Sequence, residues 1–326
     1  MRAKLIYLTA AVVLAGCGGV QQTRPTGEML LVDFQEGQPL RYRMTSQRQT
    51  RIELTDQGQR QSAPQKMTER LELVMVYDPI EVDPFGLTKL QVRCESATVT
   101  RTSFSGRPGA ADAMESLTEI PFTLTLRPTG QIEDMSDFRR AVGLLGDRAF
   151  AETRTGGGRV KNEDMISDFI ALQWHLWDAI ASIDTPLDGL SVGSRWQARQ
   201  LLPWPVPVPN PPTRVTTFTL DQISEQDDQR TAHISSTYEL TEEFLRDIPR
   251  MYEGAFQMRG LFGFLRGYRF ESIEGGGTQV FNMDTGILES DRQDYALRVT
   301  ADFRLPLGDS RPVLNVDQTI SIERLK

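Results

Sequence analysis

From residue 313 to residue 322 the side chains alternate. Leu314, Val316, Gln318, Ile320 and Ile322 fall on one side, and Asn315, Asp317, Thr319 and Ser321 on the other. A period of two buries one face only if the chain is extended, and an extended chain must pair with neighbours. The same habit, rich in Thr, Val, Leu and aromatic residues, recurs over residues 41–54, 68–77, 87–102, 121–126, 214–223, 232–240, 267–273, 278–283 and 287–305. These runs are long for strands and are separated by turn residues. They predict an α+β fold that is mainly β, built of curved antiparallel sheets with one buried face.

Two helices are expected at the centre. Phe138, Val142, Leu145 and Ala149 fall at helical spacing behind a cap at Ser136 or Asp134, with Gly143 and Gly146 weakening the run. A second helix spans residues 162–184, with Asn162 as its cap and Glu163 and Asp164 at its positive end. Its polar stripe is narrow: Asp164, Asp168, His175, Asp178 and Ser182. Trp174, Trp177 and the other apolar residues cover the rest of its girth. A helix of this kind must be packed on several sides or must close a cavity. Residues 203–212 hold six prolines, which predicts an extended surface segment and excludes a central strand.

The chain also shows an internal echo. Gly37 and Gly130 are 93 positions apart, as are Gly193 and Gly286, and the two pairs are offset by 156. Thr129-Gly130 and Thr285-Gly286 each read as a hairpin turn between alternating segments. The expected organisation is two pseudo-repeated β lobes, residues 29–135 and 186–326, flanking a helical pair in residues 136–185. The two lobes are open to being one continuous domain.

The first residues carry a different signal. Arg2 and Lys4 precede a largely apolar run over residues 5–14, which is too short for a membrane span of roughly 20 residues and matches a secretory leader. Leu14-Ala15-Gly16-Cys17 follows and resembles the lipobox of bacterial lipoproteins. That resemblance implies a signal peptide over residues 1–16, cleavage before Cys17, a diacylglycerol on the Cys17 sulfur, and residues 17–28 as a flexible tether. It also implies a place on the bacterial envelope. Gly18, where aspartate is the inner-membrane retention signal in some two-membrane bacteria, points to an outer membrane facing the periplasm.

Composition limits the partners. The whole chain carries a formal charge of −8, and losing Arg2 and Lys4 with the leader makes it −10. An acidic surface argues against nucleic acid and against electrostatic docking on anionic lipid. With Cys17 lipidated, Cys94 has no partner for an internal disulfide, and its alternating surroundings read as a buried strand position.

The usual catalytic arrangements are absent from the sequence. There is no Gly-x-Ser-x-Gly, no His-Glu-x-x-His and no cysteine pair. His175 sits on the polar stripe, and His233 in a strand-like run. Residues 156–158 and 275–277 are triple glycines without the context of a phosphate loop, and both read as flexible loops. Carboxylates are plentiful, so a glycosidase-type acid pair stays open. The expected cofactor is none and the expected metal is none.

The remaining recognition candidate is aromatic: Tyr252, Phe256, Phe262, Phe264, Tyr268 and Phe270 crowd nineteen residues. They read either as a core face or as the wall of an apolar cavity. In the second reading Phe262, Phe264, Tyr268 and Phe270, with Trp174 and Trp177, line the cavity, and Arg259, Arg266 and Arg269 meet an anionic head group. The body resembles duplicated β-rich lipoproteins of bacterial envelopes. It is also loosely similar to lipoprotein carriers, whose curved sheet is closed by helices over an apolar cavity. No motif comes with either likeness, so no site residue is carried over. The reading is a membrane-anchored, non-catalytic envelope lipoprotein that binds an apolar, lipid-like ligand or serves as an interaction scaffold. The alternatives are a carboxylate-based hydrolase and a carbohydrate-binding or assembly module.

Overall fold

A computed structural model describes residues 27–53, 65–102, 113–128, 130, 132–150, 189–202, 212–226, 228–241, 265–303 and 312–326. The expected signal peptide, Cys17, the helix expected at 162–184 and most of the proline-rich segment lie outside the described residues. So do Tyr252, Phe256, Phe262 and Phe264.

The strands are β1 (Leu40–Glu53), β2 (Gln65–Val82), β3 (Thr88–Thr102), β4 (Phe122–Leu126) and β5 (Ile132–Asp134), then β6 (Arg195–Leu201), β7 (Thr213–Gln226), β8 (Gln229–Thr241), β9 (Leu265–Asn282), β10 (Ile287–Phe303) and β11 (Val313–Leu325). A 3-10 turn, Ala113–Glu119, precedes β4, and helix α1, Ser136–Phe150, follows β5. All eleven strands form one antiparallel sheet in the order β5-β4-β3-β2-β1-β11-β10-β9-β8-β7-β6. The protein is thus mainly β, in a single sheet. Ten gaps of about 4.8 Å give a path of roughly 48 Å from strand to strand across the sheet.

The centre of the sheet is the pair β1–β11, in which Tyr42 faces Arg324 and Arg48 faces Gln318. The first and last strands therefore pair in the middle of the sheet. Register is fixed by burial: Leu40, Tyr42, Met44 and Ile52 of β1 lie on the buried face with Leu314, Val316, Ile320 and Ile322 of β11. A slip by one residue would turn every one of these outward.

Three apolar clusters fill the buried face. The first gathers β1–β4, the 3-10 turn and α1, including Leu73, Met75, Phe122, Phe138 and Val142. The second joins Ile52 to Leu297, Val299, Leu314 and Val316. The third joins Leu30 and Leu190 to Trp196, Phe218, Leu220 and Phe281. α1 begins where the cap residues predicted: the Asp134 Oδ1 accepts from the Ser136 backbone N–H at 2.9 Å, and Phe138, Val142 and Leu145 are buried.

One expectation is overturned. Gly275-Gly276-Gly277 is not a loop, and residues 267–273 and 278–283 are not separate strands, because β9 runs unbroken through all three glycines. The reason is steric. A Cβ on Gly277 would stand 2.5 Å from the Tyr238 hydroxyl and 2.7 Å from the Arg292 carbonyl oxygen. The bare backbone is the floor on which neighbouring aromatic side chains rest.

Candidate functional site

The N-terminal segment leads into the fold as a strap. Glu28 and Leu190 exchange backbone hydrogen bonds of 2.8 and 2.7 Å, the Val32 N–H donates to the Pro128 carbonyl at 3.0 Å, and the Asp33 N–H donates to the Gly286 carbonyl at 3.0 Å. Glu28 also pairs with Arg230 at 3.1 Å. Gly27 and Gly189 touch backbone to backbone: a Cβ on Gly27 would lie 2.5 Å from the Gly189 carbonyl carbon. Along the strap Leu30 is buried, Val32 and Phe34 are partly buried, and Met29 and Leu31 face outward.

Beneath the strap lies an apolar cavity of about 40 Å³. Val32 and Phe34 of the strap line it, with Tyr42 and Tyr77 on β1 and β2, and Gly130 and Gly286 of the two hairpin turns. The Tyr42 hydroxyl donates to the Leu288 carbonyl at 2.9 Å, joining β1 to β10 across β11. The Tyr77 hydroxyl is enclosed and has no hydrogen-bond partner among the described residues. Burial holds both tyrosine pKa values well above the ordinary one, so both stay neutral. The cavity exceeds the roughly 10–15 Å³ that one water needs, but falls far below the ~300–1000 Å³ of small-molecule sites. It has room for the end of an aliphatic chain and none for a whole lipid.

A polar track crosses the same buried face. Arg48 and Glu69 form a buried ion pair of 2.6 Å, which Arg101 approaches at 3.4 Å. Ser46 accepts from Gln318 at 2.8 Å. Further along, Arg214 donates to Gln293 at 2.7 Å and to Gln200 at 3.0 Å. Gln293 in turn donates to Asp291 at 2.9 Å. Burial raises the pKa of Asp291. Sequence reading missed this track, since a polar residue at an inward strand position looks like any break in the alternation.

The outward face carries a polar concavity of about 380 Å³, lined by Gln47, Gln49, Thr68, Arg70, Thr100, Asp317 and Thr319, with Arg48 and Glu69 between them on β1 and β2. Pairing aligns Thr319, Gln47, Arg70 and Thr100 in one row across four strands.

Of the aromatic residues expected to line a ligand cavity, Tyr268 and Phe270 are described. They lie on β9, 6.4 Å apart between ring centroids, packed against the second cluster. Neither lines the cavity under the strap. Phe262, Phe264, Trp174 and Trp177 lie outside the described residues. Cys94 is a buried free thiol on β3, and burial pushes its pKa up to about 12. His233 accepts or donates through Nε2 to Ser224 Oγ at 2.9 Å. No carboxylate among the described residues is hydrogen-bonded to that imidazole, so the pair lacks the orienting third group of a nucleophilic triad. Among the described residues no group of three or more His, Cys, Asp or Glu is placed to hold a metal ion.

No protein-family model and no curated protein matches the chain. Among solved structures it is similar to a lipovitellin described for its lipid–protein interactions, with a TM-score of 0.40 and 9% identity over 90% of this chain and 26% of that one. The likeness spans about a quarter of the lipovitellin chain.

Proposed function

We propose that this protein is a non-catalytic lipoprotein of the bacterial envelope, anchored through Cys17, that holds the end of an apolar, lipid-like molecule beneath its N-terminal strap. The observation that carries the reading is the placement of the cavity. Val32 and Phe34, which help close it, lie on the segment that leads directly from Leu14-Ala15-Gly16-Cys17 into the fold. Its apolar walls suit an aliphatic chain, and its volume selects a chain end.

The test uses the mature protein recovered from its own membrane and, as the probe, an alkyl chain with a fluorophore on its polar end, so that only the chain end enters the cavity. Ile287 lines the cavity and is partly buried, so Ile287→Phe fills the space from its wall. The expected result is probe binding by the wild type and its loss in the variant at unchanged melting temperature. Equal binding by both would overturn the cavity as the site.

We also infer that the two halves are an internal duplication. Supporting this, β1–β5 and β6–β10 each run as a meander of five strands. Gly37 and Gly193 precede the first strand of each meander, Gly130 and Gly286 join the last two, and all four have positive φ. A second reading, a carbohydrate-binding module, draws on the outward concavity, whose amides and hydroxyls suit a neutral polyol. Glycan binding that is lost in Gln47→Ala would favour it.

A further inference from the structure

The described residues include seven exposed large apolar side chains: Met29, Leu31, Ile80, Phe85, Leu87, Leu144 and Val192. Six of them gather at one end of the sheet, and only Leu144, on α1, stands elsewhere. That end holds the start of β1, the β2–β3, β4–β5 and β9–β10 turns, the turn before β6, and the strap.

Local contacts link five of them, and Ile80 lies on β2 just before the β2–β3 turn. Phe85 and Leu87 sit on the β2–β3 turn, beside Gly86, where a Cβ would meet the Pro128 ring at 2.9 Å. The Pro128 carbonyl accepts from Val32, next to Leu31. Met29 follows Glu28, which pairs with Leu190, and Val192 lies two residues beyond, 58% exposed.

The most prominent of them is held in place. The Asp83 carboxylate accepts from the Phe85 N–H at 2.8 Å and from the Leu87 N–H at 2.7 Å, while Gly86 takes a φ of 83°. The turn is thus closed on itself with the Phe85 ring 86% exposed at its tip. Leaving such a ring in water is unfavourable, and grouped apolar residues on a surface mark a contact.

We propose that this end of the sheet is a membrane-contact surface, with Phe85 and its neighbours resting in the interfacial layer of the bilayer that carries the Cys17 lipid. This rests on the lipoprotein reading. The bilayer is favoured over a protein partner because the strap that leads from Cys17 enters at this end and carries Met29 and Leu31 outward. The lipid alone does not set this orientation. Eleven steps separate Cys17 from Glu28, a reach of up to about 40 Å, comparable to the ~48 Å length of β1. With a chain charge of −8, anionic lipid is not the attraction. Apolar burial is, so zwitterionic vesicles suffice.

The test places a nitroxide at Phe85→Cys, at Val192→Cys and, as an aqueous control, at Leu144→Cys. Each full chain, matured and lipidated, is reconstituted in phosphatidylcholine vesicles, with buried Cys94 left unlabelled. The expected result is a several-fold higher ratio of oxygen to nickel-chelate collisions at positions 85 and 192 than at 144. Equal ratios at the three positions would overturn the proposal and point to a protein partner for this surface. If Cys17 proves unacylated, the lipoprotein reading fails separately. The same labelled chains added to vesicles then decide the contact surface by themselves, since the collision ratio at position 85 either rises or does not.

Discussion

The guanidinium carbon of Arg214 lies 4.2 Å from the ring centroid of Tyr238, in a part of the buried face where Arg214 is 1% exposed. Tyr295 stands edge-on to Tyr238, with centroids 5.9 Å apart, and is 5.6 Å from the same guanidinium. The aromatic faces and the Gln200 and Gln293 side-chain oxygens replace the water that this cation has lost. Arg214→Ala is expected to cost about 3 kcal/mol, because two amide oxygens lose their charged donor. Gly277→Ala should cost roughly 2 kcal/mol, since its Cβ meets the Arg292 carbonyl as well as the Tyr238 hydroxyl. Denaturant unfolding of each variant checks both values.

The buried ion pair makes a separate prediction. Arg48 and Glu69 have side chains 2% and 5% exposed, so removing the carboxylate takes the 2.6 Å partner from a buried guanidinium and the 3.4 Å contact from Arg101. Glu69→Gln is expected to destabilise by about 3–5 kcal/mol. The double change Arg48→Met with Glu69→Leu should cost less than that single change, because the more deeply buried charge leaves with the carboxylate and only the more exposed Arg101 loses a contact. In a cycle built from these same two substitutions, a double loss equal to the sum of the single losses would show the pair uncoupled.

Asp291 links stability to pH in an unusual direction. Burial raises its pKa in the folded state, with Gln293, Arg214 and Gln279 pulling the other way. A raised folded pKa means that the folded state holds the proton more tightly. The contribution is therefore present below the ordinary carboxylate range and is lost as pH rises through the raised value. Asp284 behaves oppositely: the Arg230 backbone N–H and guanidinium lower its pKa, so its contribution appears above that range and fades as pH falls. Asp291→Asn is expected to gain stability relative to wild type as pH rises from acid toward neutral. A difference that stays constant over that window would contradict it.

Cys94 should be chemically silent in the folded protein. With its pKa pushed up to about 12, the thiolate fraction at pH 8 is about one part in ten thousand. Iodoacetamide is expected to leave the native protein unlabelled and to label one thiol after unfolding. Rapid native labelling would show the β3 position to be open.

The sheet was legible in the sequence because period-two alternation is enforced wherever one face is buried. Residues 313–322 showed it most cleanly, and β11 carries Leu314 to Ile322 inward as expected. α1 was legible from Asp134, Ser136 and the spacing of Phe138, Val142 and Leu145. β6 was not, because Trp196 and Ala198 face inward among charged neighbours over only seven residues. The triple glycine misled for a physical reason. Glycine marks loops when the backbone needs freedom, but here it marks a strand on which Tyr238 and Tyr295 need room. The cavity was not legible at all. Its walls come from the strap, β1–β4, β10, β11 and two turns, and no local spacing records that meeting. The aromatic run around Tyr268 was the more visible signal, and it leads to the second cluster.

The most direct measurement of the central claim is the mass of the mature N-terminal peptide from protein extracted from its native membrane. The expected product is a chain that begins at Cys17 and carries diacylglycerol on its sulfur. A mature N-terminus at another residue, or an unmodified Cys17, would contradict it.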